Sequence, residues 1–458
     1  MPSHRLMERL TEYIEENRDL FIEDLRRICR EPSVSAQGKG IEGCVKEVNR
    51  LMSEVGIEAE TIPVEGGNPV ILGTVKAGSD AGCIGFYNHY DVQPPEPLEL
   101  WETPPFEADV RNGKIYARGV SDNKGVLVAR IEAVRTILNV MGKVPVNLKF
   151  MVEGEEEIGS PNLPSFVREN MNRLKADGYL WEGNGVDEKG RPIITLGAKG
   201  ILYVEFRARG ANRDLHSSMA PIIPNPAWRI VWALSSMKGP DGRIRIEGWY
   251  DDVIEPTEVE LKLLEEAPFE EEMKKRELGL RSFLNDLTGI EALKALYLTP
   301  TCNICGLNSG YTGPGSKTVL PSEAMAKVDF RLVEAQRPDK LIVKLREHLE
   351  REGFGDVEIV SYGGYEPAKT PPDDPFVKFV IETAERIYKS KPVVWPTSAG
   401  TSPIYTIKNW MGIPVASAGG VGHPGSNIHA PNENIRISDY LKAIRYTVAL
   451  ITSYKPSK

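Results

Sequence analysis

Histidines and carboxylates occur in four short stretches of this 458-residue chain. The first contains His89 and Asp91, and the second contains Asp122. The third, Glu153–Glu157, has four glutamates in five positions, and the fourth contains His429. Imidazole nitrogens and carboxylate oxygens suit zinc or manganese better than copper or iron–sulfur chemistry, and a glutamate can also move a proton. The residue types therefore indicate a metal centre with an acid/base group.

Each stretch taken alone has a plainer interpretation. Residues i and i+2 of an extended segment point the same way, so His89 could bind a metal while Asp91 holds its other ring nitrogen. His89 could equally be a hydrogen-bonded core histidine. Asp122 precedes a predicted helix and could cap it, or could bridge two cations with its two oxygens. Both alternatives stay open at this point.

The third and fourth stretches are ambiguous in the same way. A run of glutamates is typical of a solvated helix start, although after a buried strand one glutamate can bind metal while its neighbour accepts a proton. The fourth stretch lies in a loop rich in Gly and Pro that holds His423 and His429, two of only six histidines in the chain. The four stretches together favour a metal-binding site.

The elements that must position these residues alternate between strand and helix. Apolar runs predict strands, and Gly125–Met141 predicts a helix that follows Asp122. We expect an α/β fold with an open, mostly parallel sheet flanked by helices, whose carboxyl ends present the ligands. The predicted strands are Val70–Thr74, Cys83–Tyr87, Val146–Val152, Gly178–Trp181 and Ile193–Leu196.

A different pattern occupies residues 200–366. Strand, helix, strand and helix signals near its two ends predict a small α+β sandwich, interrupted by the acidic helical segment Pro256–Leu298. We therefore expect the chain to divide into residues 1–199 and 367–458, which form one domain, and an inserted domain at 200–366. The last predicted helix is Ser438–Ser453, with Ser438 as its N-cap.

Composition excludes several classes of function. The chain is 41% hydrophobic and 26% charged, with a net charge of -9 and no basic block, so neither nucleic acid nor an anionic membrane is an expected partner. It has no apolar run of about 20 residues and no signal-peptide pattern, and five cysteines do not make a disulfide framework. Cys302 and Cys305 are interpreted as small residues of a β-rich stretch. We expect a cytoplasmic protein.

The ordered motifs resemble those of a known family. His89-Tyr90-Asp91-Val92-Gln93-Pro94 and, further on, Trp101-Glu102-Thr103-Pro104-Pro105-Phe106 resemble the dipeptidase branch of the co-catalytic zinc exopeptidases. That family includes cytosolic nonspecific dipeptidase, carnosine dipeptidase, aminoacylase, carboxypeptidase G and succinyl-diaminopimelate desuccinylase. The resemblance implies a zinc-exopeptidase-like catalytic domain with an inserted lid and dimerisation domain.

The resemblance also implies a role for each site residue. Asp122 would bridge two metals, Glu156 would act as general base, and Asp91 would support the histidine. Glu155 to Glu157 leave the register open, and Gly159-Ser160 sets it as the family pattern does. Asp177 is a rival for the carboxylate ligand at Glu182. The implied metal ligands are His89, Asp122, Glu157, Glu182 and His429.

Five residues are implied to bind substrate: His216, Thr318, Arg331, Gly400 and Thr401. His216 resembles the histidine that reaches into the partner subunit's site, and Arg331 would clamp a substrate carboxylate. Gly400-Thr401 stands where relatives carry Gly-Ser, and Asn123 replaces a common second aspartate.

The function implied is a metal-dependent exopeptidase acting on dipeptides or short peptides as a homodimer. Its cofactor would be two divalent ions in each subunit, zinc first, with manganese or cobalt as alternatives. An N-acyl-amino-acid deacylase or a carboxypeptidase of the same family is the second reading. A catalytically inactive relative that binds metal or ligand is the third, and an intact ligand set with a general base argues against it.

Overall fold

The computed structural model describes residues 3–79 and 81–456. The chain folds into two compact units. The large unit consists of the described residues up to Gly197, of Lys369–Pro396 and of the described residues from Thr406 onward. The inserted unit consists of Ala198–Ala368 and Thr397–Tyr405. Within the described ranges, no helix is long and apolar enough to cross a membrane.

The helices, in chain order, are α1 His4–Glu16, α2 Arg18–Arg30, α3 Ile41–Val55, α4 Lys124–Met141, α5 Leu163–Leu174, α6 Pro226–Met237, α7 Glu258–Glu266, α8 Glu271–Leu278, α9 Gly289–Leu298, α10 Pro338–Arg351, α11 Pro375–Tyr388, α12 Tyr405–Met411 and α13 Ile437–Ser453.

The strands are β1 Glu58–Ile62, β2 Val70–Val75, β3 Cys83–His89, β4 Asp109–Arg111, β5 Lys114–Tyr116, β6 Asn147–Glu153, β7 Gly178–Trp181, β8 Gly185–Val186, β9 Pro192–Thr195, β10 Gly197–Ala198, β11 Gly200–Arg209, β12 Leu215–His216, β13 Thr301–Ser309, β14 Val319–Leu320, β15 Glu323–Leu332, β16 Glu358–Tyr365, β17 Ala368–Lys369, β18 Val393–Trp395, β19 Val415–Ser417 and β20 Asn434–Arg436.

The main sheet of the large unit has the strand order β1-β2-β6-β3-β7-β19-β9-β18. Its centre is parallel, because β3 pairs in parallel with both β6 and β7, and β7 pairs in parallel with β19. The outer pair β1–β2 is antiparallel, as is β2–β6. The predicted α/β class is therefore confirmed, in a mixed sheet. In its parallel centre the carboxyl ends of the strands meet at one edge, where ligands bind in such sheets.

Helix α4 lies in the core of the large unit. All its residues from Lys124 to Val134 are buried, and it packs against β3 and against the helices α2 and α13. A helix buried on all sides needs partners for its charged side chains. Lys124 donates through Nζ to the carbonyl of Glu31 at 2.5 Å, and Arg130 donates to main-chain carbonyls at the strand ends. This burial holds the loop that precedes α4 in place.

The inserted unit is an antiparallel sheet, β13-β15-β11-β16, with α6 and α10 packed on one face. Alternate residues of β11 and β15 face the helices, so Val204, Phe206, Val328 and Phe330 are buried in its core. This agrees with the predicted α+β sandwich. Cys302 and Cys305, interpreted as residues of a β-rich stretch, do lie in strand β13, although the bounds of this strand were not predicted. Its burial does not alternate, because it is an edge strand whose apolar residues are partly exposed.

The predicted N-cap of the last helix is wrong. Helix α13 begins at Ile437 directly after β20, and the residue at its N-cap position is Arg436, which makes no side-chain capping bond. A strand that runs straight into a helix leaves no turn in which Ser438 could precede the helix. The pattern of a serine before an apolar run was therefore misleading here.

Candidate metal centre

His89 ends strand β3 and is fully buried. Its Nδ1 lies 3.1 Å from the main-chain oxygen of Asp91, and because a carbonyl only accepts, Nδ1 carries the proton. Its Nε2 lies 3.1 Å from Oδ1 of Asp122 and 3.1 Å from Oε2 of Glu182. Nε2 therefore faces two carboxylates.

The acidic surroundings of His89 attract positive charge. Burial by itself lowers the pKa of His89, but hydrogen bonds with Asp122, Asp91 and Glu182 raise that pKa well above its ordinary value. A field that holds a proton on a buried imidazole also attracts a metal cation to the same place.

Asp91 faces the ring of His89 with two atoms. Its main-chain oxygen accepts the hydrogen bond from Nδ1, and its carboxylate oxygen Oδ1 lies 3.5 Å from the same nitrogen. The carboxylate also accepts the main-chain N–H groups of Glu156 at 3.2 Å and Glu157 at 3.0 Å. The first N–H groups of a helical turn have no partner within the turn, and Asp91 supplies one. It thus connects His89 with the glutamate loop.

Asp122 lies between two histidines. Its Oδ1 approaches His89, and its Oδ2 lies 3.2 Å from Nε2 of His429. Burial raises its pKa, but hydrogen bonds from the two histidines outweigh burial and keep the carboxyl ionised. The N-cap position of α4 is held by Asn123, so Asp122 does not cap the helix. One carboxylate with its two oxygens facing separate donor groups has the arrangement of a bridging ligand.

The three neighbouring glutamates point to different partners. Glu155 accepts hydrogen bonds from the main-chain N–H of Asn68 at 3.1 Å and from Nδ2 of Asn162 at 2.9 Å. Glu156 has its Oε2 3.9 Å from Nε2 of His89. Glu157, which is nearly buried, has its Oε2 3.2 Å from Nε2 of His429. The short turn from Glu156 to Ile158 separates these side chains.

Glu182 and its rival Asp177 lie at opposite ends of one strand. Glu182 directly follows β7 and is close to His89, as described above. Asp177 precedes β7, and its Oδ2 accepts the main-chain N–H of Cys83, the first residue of β3, at 2.8 Å. Parallel strands place these two ends at opposite edges of the sheet, so only Glu182 lies near the histidine.

The two histidines of the last loop also differ. His429, half-exposed and with a φ of +61°, approaches Asp122 and Glu157, and its hydrogen bonds with them raise its pKa to about 10. Nε2 of His423 instead lies 3.1 Å from Oδ1 of Asn434, and Nδ1 of His423 accepts a hydrogen bond from the N–H of Gly425. Burial lowers the pKa of His423, and this residue stays outside the cluster.

Among the residues that the structure describes, three groups of potential metal ligands are found, and the ligand atoms within each group lie within 4.8 Å of one another. Tetrahedral coordination with bonds of about 2.0–2.1 Å separates ligand atoms by about 3.3 Å, and the closest pairs here are 3.1 Å and 3.2 Å apart. The donor types and spacing therefore suit zinc-like ions. The groups are His89 with Asp122 and Glu182, Asp122 with Glu157 and His429, and His89 with Glu156 and Glu157.

The five residues implied to bind substrate lie in the inserted unit. Four of them contact each other in two pairs, and the fifth, Gly400, is next to a member of one pair. Nε2 of His216 lies 3.3 Å from Oγ1 of Thr318. His216 is in β12, and Thr318 directly precedes β14, the strand that pairs with β12. Nη1 of Arg331 donates to Oγ1 of Thr401 at 2.5 Å. Gly400 precedes that threonine, and its N–H donates to Oγ of Ser398 at 3.0 Å.

Two supporting residues were not identified from the sequence. Gln93, four residues after His89, donates through Nε2 to Oε2 of Glu157 at 2.9 Å. Arg130, fully buried in α4, donates to the main-chain oxygens of Tyr87 and Trp181, which lie near the carboxyl ends of β3 and β7. Gln93 is part of the quoted motif and could have been singled out. A cation in an apolar helix has no such sequence signal.

Comparison with known proteins assigns the chain to a family. Residues 85–453 match the model of peptidase family M20/M25/M40. The chain belongs to this peptidase family. The match confirms the resemblance drawn from the motifs and makes the chain an enzyme, a metallopeptidase with histidine, aspartate and glutamate groups that could bind metal.

Three relatives illustrate the range of this peptidase family. The crystal structure of the M20 family metallo-carboxypeptidase Sso-CP2 from Sulfolobus solfataricus is 42% identical, with a TM-score of 0.87 over 94% of this chain and 98% of that chain. Beta-Ala-His dipeptidase from Homo sapiens is 29% identical over 372 residues, 76% of this chain and 72% of the relative. Cys-Gly metallodipeptidase dug1 from Schizosaccharomyces pombe is 26% identical over 475 residues, 96% of both.

Proposed function

We propose that the enzyme is a two-metal exopeptidase that hydrolyses the amide bond of dipeptides or short peptides. The observation that carries this proposal is the position of Asp122, whose two oxygens face His89 on one side and His429 on the other. Two ligand groups that share one carboxylate are what a pair of closely spaced ions requires. The names of two of the relatives, both dipeptidases, support the substrate class.

We propose zinc as the metal in both positions, with manganese or cobalt as alternatives, because two histidines and several carboxylates form the ligand set. His89, Asp122 and Glu182 would hold one ion, and Asp122, Glu157 and His429 the other. A pair of such ions, when bound, polarises the scissile carbonyl and lowers the pKa of a water molecule.

Glu156 is the proposed general base. It accepts a proton from the attacking water as the water oxygen bonds to the carbonyl carbon. It then gives this proton to the amide nitrogen as the C–N bond breaks. The second proton of the water leaves the new carboxyl group for the amine, so the products are a carboxylate and an ammonium group. In the metal-free chain, burial and the nearby charge of Glu182 raise the pKa of Glu156 well above its ordinary value.

The residues of the inserted unit are proposed to bind substrate, on the strength of the family resemblance. Arg331 would bind a substrate carboxylate, with Gly400, Thr401 and Thr318 contributing hydrogen-bond donors. His216 would polarise the scissile carbonyl in the partner subunit's site. The cytoplasmic location inferred from composition stays a prediction.

We also propose a homodimer formed through the inserted unit. Helix α6 exposes Trp228 and Trp232, at 54% and 51%, with their rings stacked 5.5 Å apart. Strand β13 is an edge of its sheet and exposes Ile304 and Leu307. Exposed aromatic side chains and an open strand edge are both features that favour association. Sedimentation of Trp232→Lys should show a shift from dimer to monomer, whereas a parent chain that sediments as a monomer would contradict the proposal.

The relative with the highest identity among those described is a carboxypeptidase, so carboxypeptidase activity is the second candidate. After chelation and return of zinc, manganese or cobalt, hydrolysis of a plain dipeptide is compared with that of its N-acetyl counterpart and of a tripeptide. Cleavage of the dipeptide alone supports a dipeptidase, since a free amino group is then being recognised. Cleavage of the N-acetyl compound or tripeptide as well supports the carboxypeptidase or deacylase reading. No hydrolysis under any metal would leave only the inactive, ligand-binding reading.

A matched set with an amidated C-terminus tests the recognition of the carboxylate. If Arg331 binds that group, amidation and Arg331→Met should each raise KM sharply, and amidation should have little further effect on Arg331→Met. Equal cleavage of acid and amide by the parent enzyme would remove Arg331 from carboxylate recognition.

A further inference from the structure

The carboxylate of Glu433 accepts hydrogen bonds from four donors in a single loop. Its Oε2 accepts from Nη1 of Arg118 and from the N–H of Gly119, both at 2.8 Å. Its Oε1 accepts from the N–H of Ser121 at 2.9 Å and from that of Asp122 at 3.1 Å. Both Glu433 and Arg118 are 1% exposed. Asp122, the last donor, is itself the proposed bridging ligand.

The loop is shaped to surround this carboxylate. Several main-chain N–H groups turned toward one point form an anion-binding concavity. Gly119 makes the turn possible, because its φ is +82° and a Cβ there would lie 2.3 Å from Cγ1 of Val92. The N–H of Ala117 extends the contact by donating to the main-chain oxygen of Glu433 at 3.1 Å.

Glu433 also belongs to the loop that carries His429, four residues earlier. This loop is closed on itself, because Asn434 donates its main-chain N–H to Ser426 at 2.9 Å and its Nδ2 to Gly425 at 2.9 Å. A displacement of Glu433 is therefore passed to the whole loop. Glu433 thus joins the segment that presents Asp122 to the segment that presents His429, although the two are remote in sequence.

We propose that Glu433 is a positioning residue of the metal centre, which sets the spacing between Asp122 and His429. The ligand group Asp122, Glu157 and His429 then keeps its geometry before a metal arrives. The inference rests on the proposed function, because it presupposes that this group binds an ion. Partners that orient metal ligands in this way typically contribute about 10–100-fold in metal affinity.

The alternative is that the buried pair of Arg118 and Glu433 only stabilises the fold. Glu132 provides a control for this case, since it is equally buried and accepts from Nε of Arg135 at 2.7 Å outside the ligand cluster. Glu433→Gln and Glu132→Gln each remove one buried charge from an ion pair. Only the first should disturb the metal ligands.

The experiment titrates the metal-free full chain with Co²⁺ and monitors binding by calorimetry and by the visible absorption of bound cobalt. We expect two ions in the parent, and in Glu433→Gln one of the two bound about 10–100-fold more weakly with an altered spectrum. Glu433→Asp keeps the charge and should recover part of the affinity. Glu132→Gln should bind both ions like the parent even if it melts at a lower temperature.

Parent-like affinities and spectrum in Glu433→Gln would overturn the inference and leave a purely structural pair. A parent chain that binds no Co²⁺, or binds it and cleaves no peptide, would instead refute the proposed function. Hydrogen exchange of the metal-free parent tests the inference without any variant, in case the substitutions prevent folding. The N–H groups of Gly119, Ser121 and Asp122 should exchange slowly, and rapid exchange there would also overturn it.

Discussion

Replacing Glu156 by glutamine should remove most of the turnover without removing the metals. The change keeps the shape of the side chain and takes away only its ability to accept and return a proton. Loss of a positioned acid/base group typically costs about 10²–10⁴-fold in rate. At about 1.36 kcal/mol for each factor of ten, that raises the barrier by about 2.7–5.4 kcal/mol. The loss should appear in kcat, with KM nearly unchanged.

The structure also predicts how the stability of this variant changes. Burial and Glu182 raise the pKa of Glu156, which means that its surroundings disfavour the ionised form. A neutral glutamine removes that penalty. Thermal unfolding of the metal-free Glu156→Gln chain should therefore occur at the same temperature as in the parent or higher, so a loss of activity is not a loss of fold.

The assay combines metal content by mass spectrometry with steady-state kinetics on a dipeptide. Glu155→Gln is the matched control, because Glu155 contacts Asn68 and Asn162 and should retain most of the turnover. Loss of a metal from Glu156→Gln would instead make Glu156 a ligand, as its grouping with His89 and Glu157 allows. Near-parent turnover in Glu156→Gln, or a larger loss in Glu155→Gln, would refute the assignment.

Three further predictions concern the loop, pH and metal. Gly119→Ala should lower the free energy of unfolding by about 1–3 kcal/mol or more. Gly113 is the control, because it has a similar φ of +72° but open space around it, so Gly113→Ala should cost less. Urea unfolding of the two variants measures the difference. Burial raises the pKa of Glu153 from 4.5 to about 8, so the folded chain keeps this proton longer than the unfolded chain, and metal-free stability falls as pH rises across that interval. The stability of Glu153→Gln relative to the parent should therefore be greater at pH 8 than at pH 5, by about 4 kcal/mol at most, at about 1.36 kcal/mol per pKa unit. The same stability difference between variant and parent at both pH values would contradict this. Chelation should abolish hydrolysis and lower the melting temperature, and zinc should restore both; a melting temperature unaffected by chelation would argue against bound metal in the folded chain.

The sequence determined the elements of the fold and the residue types of the site. Strand and helix periodicity placed β3, β6 and α4 within a few residues, because buried parallel strands are continuous apolar runs and their ends are marked by polar residues. The motifs around His89 and Asp122 indicated a metal centre, since few other functions need histidine and carboxylate at strand ends. The family resemblance that these motifs carried is confirmed by the match over residues 85–453.

Tertiary structure decided which atoms of these residues meet. The sequence could not tell that Glu155 turns to Asn68 or that His423 bonds to Asn434. Nor could it show that Asp91 uses its main-chain oxygen for His89. The physical reason is that periodicity reports which side of an element faces the core. The partner of a polar atom depends instead on segments brought together only when the sheet forms, as Glu433 and Asp122 are.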